Sequence, residues 1–473
     1  MPPVGADRIR RRSLYRALRT AVLEGVLAPG ERLPSSRQAG ADYGVSRGLV
    51  EEVFAQLTDE GFLERAVGRG TFVSARAARL AAPLDRAPRA SPAPSKRGGT
   101  MSRRSFCREP VEPRPFNAGT ADTSEFPFAI WQRLQARAAR ELGPAALGFA
   151  DPRGLPALRA AIARYLAQLR GIRCRPEQVV VFNSAQQALY TLAVLLLDRD
   201  EPVWMEDPGY PGARSAFELA GAAIAPVPVD EEGIRVEIGV SRAPRARLAY
   251  VTPPHQYPTG VALSLERRLA LLEWAAENDS WVVEDDYDGE FRYVGQPLAA
   301  LYSLDPHARV LYLGTLSKAM FVSLRLAYAV VPEALVEPLA NLRTQLDGFT
   351  PALPQLAAAL FMDEGHFSAH LRRMRAAYGA KRAALVEGLD PLAARGWRWP
   401  DNRAGLHLLL RHRSAGSVRA VAAASTLDLA LLGSYRARPA RDDGLFLRFG
   451  GLGMATLRAA TAALVATVQK TRR

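Results

Sequence analysis

The residues best placed to do chemistry gather around one lysine. The chain holds four lysines, Lys96, Lys318, Lys381 and Lys470, among 62 Lys plus Arg, and Lys318 stands in the apolar stretch LGTLSKAMFVSLRLAY. A lysine kept at the end of what reads as a buried strand suits amine chemistry, because a dry setting lowers its pKa and frees the nucleophile. In WVVEDDYDGEFRY, Asp285, Asp286 and Asp288 fall just past another apolar run, and in open α/β sheets ligands bind beyond the carboxyl ends of the strands. FNSAQQALYTLAVLLL follows QVVV as a strand-to-helix turn. Asn183, Ser184 and Ala185 open that helix, a natural anion site. Lysine and carboxylate alone could equally be a structural salt bridge. Lysine, carboxylate and helix start together are the set that pyridoxal phosphate asks for: a Schiff-base amine, a partner for the pyridine nitrogen, and a phosphate cup.

Positioning these groups calls for a parallel sheet. The runs QVVVF, PVWME, RLAYV, SWVVEDD, RVLYLG and LRLAYAVV alternate with helical or looped stretches, the pattern of an α/β domain with a largely parallel sheet. After about Pro354 the alternation stops, which suggests a smaller α+β subdomain.

A different module precedes this one. Leu14, Leu18 and Val22 repeat at helical spacing in SLYRALRTAVLEG, and Gly25 ends that helix. Ser35 or Ser36 can cap a second helix and Ser46 a third, with Tyr43-Gly44-Val45 as the turn. Leu49 or Val50, Val53, Phe54 and Leu57 form the third helix's apolar stripe, and FLERAVGRGTFV reads as a hairpin. Helix, helix-turn-helix and hairpin make a winged helix. Its third helix presents Arg47 and Ser46 at the end that enters a DNA major groove. Arg37 and the wing-tip Arg69 lie where phosphate contacts would fall. Charge agrees, since residues 1–105 carry 19 Lys/Arg against 10 Asp/Glu in a chain of net charge +14.

Pattern and composition therefore predict a winged-helix DNA-binding domain at 8–75, a flexible Pro/Arg-rich linker at 76–115, and an α/β domain with its smaller α+β part at 116–473. Cys107 and Cys174 form no disulfide framework and mark no metal site. No apolar run approaches the roughly 20 residues of a membrane span, and the basic N-terminus lacks a leader's apolar core. A cytoplasmic protein with no membrane and no metal is expected.

At these motifs the chain resembles known families. GVLAPGERLPSSR at 25–37, GVSR at 44–47 and GRGTFV at 68–73 resemble GntR-type winged helices. FNAGTAD at 116–122, DPRGLPALR at 151–159, EDPGYPG at 206–212, HQYPTG at 255–260, EDDYDGEFRY at 284–293, GTLSK at 314–318 and LRFG at 447–450 resemble fold-type-I aminotransferases. The fusion resembles MocR-type transcriptional regulators, which implies that residues 116–473 are an aminotransferase-like effector domain. The resemblance implies that Lys318 bonds the pyridoxal phosphate aldehyde and Asp285 holds the pyridine nitrogen. It implies further that Tyr287 meets the ring hydroxyl, Tyr210 stacks on the ring, and Ser317 and Arg325 bind phosphate with Ser184 and Ala185. Arg448 would clamp an effector carboxylate. Tyr257 replaces the asparagine of the aminotransferase signature, and Phe149 stands where a tyrosine often reaches the neighbouring subunit's cofactor. Promoter DNA, an amine, amino-acid or pyridoxal-phosphate effector, and a second copy of the chain are the implied partners. The competing reading is an aminotransferase acting on an amino acid, with the N-terminal domain incidental. A regulator that has lost the cofactor is a third, against which Lys318 and Asp285 stand.

Overall fold

The computed structural model describes residues 11–77, 93–102, 114–117, 121–295, 298–401, 404–438 and 443–471. The chain divides into two units, Met1–Gly99 and Thr100–Arg473.

In the first unit, α1 (Arg11–Leu23), α2 (Ser36–Tyr43) and α3 (Arg47–Asp59) precede the antiparallel strands β1 (Leu63–Ala66) and β2 (Gly70–Val73). Leu14, Leu18 and Val22 of α1 bury against Val50, Val53, Phe54 and Leu57 of α3. The caps are local chemistry. Ser35, rather than Ser36, accepts from the Gln38 N–H, and Ser46 accepts from the Leu49 N–H, each at 3.2 Å. The turn between α2 and α3 depends on small residues. Gly44 adopts φ +62°, and a Cβ at Gly40 would stand 2.9 Å from the Val45 carbonyl oxygen. This is the winged helix-turn-helix that the pattern predicts.

Of the stretch read as a linker, residues 78–92 and 103–113 lie outside the described residues. Between them, Lys96–Ser102 forms a helix that buries no side chain.

The second unit is built on an eight-stranded sheet. Its strands are β3 (Val179–Phe182), β4 (Pro202–Asp207), β5 (Ala223–Asp230), β6 (Gly233–Ile234), β7 (Leu248–Val251), β8 (Trp281–Asp286), β9 (Val310–Thr315) and β10 (Ala327–Val330), in the order β3-β10-β9-β8-β7-β4-β5-β6. Neighbours from β9 to β5 are parallel, whereas β10 runs antiparallel to both β3 and β9. All six predicted runs are strands of this sheet. Completely buried residues on both faces, such as Val180, Phe182, Leu311 and Leu313 against one layer and Val179, Val181 and Tyr328 against the other, explain their near-continuous apolarity.

After Pro354, helices pack on a second, antiparallel sheet of β11 (His407–His412), β12 (Ala430–Leu431) and β13 (Asp443–Arg448), ordered β11-β13-β12. Its core, with Leu408, Leu445, Leu447, Leu457 and Leu464, is separate from those of the large sheet. Phe116 joins this subdomain through a bridge to Arg448.

Candidate functional site

Because β3, β4, β7, β8 and β9 share one direction, their carboxyl ends open on one edge of the sheet, and β10 starts from that edge. Each strand end delivers a group. Ser184 and Ala185 follow β3, Tyr210 follows β4, Asp285 closes β8, and Ser317 and Lys318 follow β9. Arg325 precedes β10 at φ +54°, a left-handed conformation uncommon outside glycine. Arg448 ends β13 of the small sheet. All of these, with Tyr287, line one cavity of ≈ 420 Å³. The nine cofactor and effector residues expected from sequence thus come together at one place.

Asp285 is buried and accepts a hydrogen bond from the Tyr250 hydroxyl at 2.6 Å. It has no ion pair among the described residues. Burial pushes its carboxyl from 3.8 to about 7, opposed by the Tyr250 bond and reinforced by Asp286 and Asp288. Glu206 behind it is pushed up to about 7 by the same burial, although Thr252 and Gln256 donate to it at 2.7 and 3.0 Å.

On the phosphate side, the Ser184 hydroxyl accepts from the Gln187 N–H at 3.1 Å, as a helix cap. Ala185 and Gln186, whose first-turn N–H groups have no carbonyl within the helix to meet, line the cavity. Arg325 has neither hydrogen bond nor ion pair among the described residues. The Tyr287 hydroxyl donates to the His255 carbonyl at 2.9 Å.

Arg448 is held on both arms. Nη1 donates to the Asn117 carbonyl at 2.5 Å, and Nη2 reaches the hydroxyls of Tyr257 at 3.1 Å and Tyr435 at 3.3 Å. Sequence reasoning missed Asn117 and Tyr435 and saw in Tyr257 only a lost asparagine. It also passed over a buried group beside the cavity. His255 Nδ1 lies 3.0 Å from Asp288 Oδ2, and ligand-type atoms of His255, Asp288 and His407 fall within 4.8 Å of one another. His407 is held well below its ordinary pKa, first by burial and then by the charges of His255, Arg448 and Lys318. The signal for this group lay in His255 of HQYPTG and Asp288 of EDDYDGE. Nothing in GLHLLL marks His407.

In the first unit, Arg47 opens α3 directly after its cap Ser46, Arg37 lies in the first turn of α2, and Arg69 sits in the β1–β2 turn. All four side chains are exposed. They belong to the first unit, whereas the cavity residues belong to the second.

Comparison with known proteins finds relatives of both units. Residues 117–434 match the family described as aminotransferase class I and II, and residues 10–73 match the gntR family of bacterial regulatory proteins. The probable rhizopine catabolism regulatory protein MocR of Rhizobium meliloti is 38% identical over 87% of this chain and 83% of its own. The HTH-type pyridoxine biosynthesis transcriptional regulator PdxR of Corynebacterium glutamicum is 32% identical over 94% of this chain and 93% of its own. Among solved structures, LysN, the α-aminoadipate aminotransferase of Thermus thermophilus complexed with N-(5'-phosphopyridoxyl)-L-leucine, is similar with a TM-score of 0.71 and 30% identity, covering 79% of this chain and 96% of that one.

Proposed function

This chain belongs to the MocR-type transcriptional regulators, which join a GntR-type winged helix to an aminotransferase class I and II domain, and from that premise we propose how it works. Residues 8–75 bind promoter DNA, and the domain at 116–473 adjusts that binding through pyridoxal phosphate and an amine or amino-acid effector. The observation that carries the reading is the meeting of Lys318, Asp285, Arg325 and Arg448 in one cavity of ≈ 420 Å³.

Two of these groups lack what the cofactor would bring. The Asp285 carboxyl, pushed up to about 7 by burial, is suited to a cationic ring nitrogen. Arg325, which lines the same cavity as Ala185 and Gln186, is suited to a phosphate. When bound, pyridoxal phosphate supplies an aldehyde that takes amines and a ring that withdraws electrons. Lys318 would hold it covalently, and Asp285 would keep a proton at its ring nitrogen. Tyr210 would cover the ring and Tyr287 stand at its hydroxyl, while Ser184, Ala185, Ser317 and Arg325 take the phosphate. Arg448 would anchor an effector carboxylate with its planar fork.

In the winged helix, Arg47 would read bases, with Ser46, Arg37 and Arg69 on phosphates. A homodimer of the effector domain is part of the reading. Leu147 is 91% and Phe149 97% exposed, an apolar pair that a second copy would cover. No helix among the described residues is long and apolar enough to cross a membrane, and we place its action with the DNA in the cytoplasm.

Borohydride reduction of the protein loaded with pyridoxal phosphate, followed by peptide mapping, tests the site. The label is expected on Lys318. Its appearance on another residue, or its persistence in Lys318→Ala, overturns the assignment.

A further inference from the structure

The bonds of Arg448 describe more than an anchor. Its main-chain N–H donates to the Phe116 carbonyl at 3.3 Å, and its Nη1 donates to the Asn117 carbonyl at 2.5 Å. Phe116 and Asn117 are the first residues of the effector domain after the stretch read as a linker. The chain therefore enters the domain hydrogen-bonded to the arginine at the cavity wall.

The other arm meets two phenols, Tyr257 at 3.1 Å and Tyr435 at 3.3 Å, whose rings stand edge to face with centroids 5.6 Å apart. Both phenol oxygens accept from Arg448, so both O–H protons must go elsewhere. At most one of them can be used between the two tyrosines. The other has no acceptor among the described residues, although both tyrosines line the cavity. Burial raises the Tyr435 phenol above its ordinary 10.0, so it stays protonated at physiological pH. The wall thus offers a guanidinium charge and a spare phenolic donor side by side, and a carboxylate has the two oxygens to take both.

We propose that Tyr257 and Tyr435 complete, with Arg448, a subsite for the effector's carboxylate. The Asn117 carbonyl is the group that this carboxylate displaces from Arg448. The inference rests on the reading of Arg448 as the effector's anchor and adds to it both tyrosines and the consequence of filling the site. The carboxylate brings a full negative charge that the neutral Asn117 carbonyl lacks, so it attracts the guanidinium more strongly and takes the carbonyl's place. The Asn117 carbonyl turns to water, and the entry segment loosens. The replacement of asparagine by Tyr257 is then a gain of an effector contact rather than the loss of a cofactor contact. Binding and linker geometry become coupled because the ligand favours the state in which Asn117 has let go.

Maleate tests this in the full chain loaded with pyridoxal phosphate, since it carries carboxylates but no amine and so reports the subsite apart from amine chemistry. Calorimetry on variants matched for folding by circular dichroism should show Tyr257→Phe and Tyr435→Phe each weakening maleate by about tenfold, and Arg448→Ala abolishing its binding. Hydrogen exchange of peptides containing Asn117 and Arg448 should quicken when maleate binds. Binding that needs Arg448 but neither tyrosine overturns the subsite and leaves the proposed role of Arg448 standing. Binding indifferent to Arg448 overturns that role itself. Absence of maleate binding to the wild type overturns the subsite, and unchanged exchange overturns the displacement of Asn117.

Discussion

Replacing Asp285 by asparagine should make the cofactor-free chain more stable above neutral pH while weakening its hold on pyridoxal phosphate. Asp285 is 4% exposed and its carboxyl stands at about 7 rather than 3.8, chiefly through burial. Between those values the folded chain holds a proton that the unfolded chain has released, so stability falls as pH rises across that window. The cost is absent below about pH 4 and complete above about pH 7, where it amounts to roughly 4 kcal/mol as an upper bound, at 1.36 kcal/mol per pH unit. An amide carries no such cost, and its oxygen can still accept from Tyr250. Urea denaturation of the cofactor-free wild type and Asp285→Asn, followed by tryptophan fluorescence between about pH 5 and about pH 9, reads the difference directly. The variant's advantage should grow with pH and level off above about pH 7. Equilibrium dialysis should show cofactor affinity lowered by about tenfold or more, because the cationic ring nitrogen loses its buried counter-charge. A variant less stable at every pH, or an advantage that does not change with pH, would refute the reasoning.

Arg47→Ala should cost about 1–3 kcal/mol of specific DNA binding and relax sequence preference, as read by competition between specific and random duplexes. Arg69→Ala should weaken both duplexes alike and flatten the salt dependence by about one unit; equal losses on both duplexes for Arg47→Ala would remove it from base reading. Gly40→Val places a side chain against the Val45 carbonyl, 2.9 Å from its Cβ. It should destabilise the winged helix by about 1–3 kcal/mol and lower DNA affinity while pyridoxal phosphate binding persists, measured by melting and gel shift.

Sequence made most of the fold legible because the strands of the large sheet are buried on both faces and write themselves as apolar runs. β5 escaped because Pro226 and Pro228 interrupt it. The Ala223 N–H donates inward to Glu201, so by strand alternation the nitrogens of Pro226 and Pro228 face away from β4, and the parallel ladder with β4 loses no donor. Around the cavity, Lys318 and Asp285 were legible because each sits in a local motif at a strand end. Arg448 was visible in LRFG, but its partners were not: Asn117, Tyr257 and Tyr435 are far apart in the chain and meet only when the small sheet closes over the large one. His407 was silent for the same reason. It reads as one more residue of a strand until folding sets it beside His255. Ser35 and Ser36 were equivalent as letters, and only the backbone at the start of α2 chose between them.

The central claim, that an effector read in the aminotransferase-like domain governs DNA binding, is tested most directly by one titration. The full chain carrying pyridoxal phosphate is bound to the duplex it selects from a random library, and its affinity is measured with and without a panel of carboxylate-bearing amines. At least one of them should change the affinity by about fivefold or more, the effect of a coupling of about 1 kcal/mol, and the change should vanish in Arg448→Ala. An affinity that no amine in the panel alters, or a response that persists without Arg448, would contradict the account.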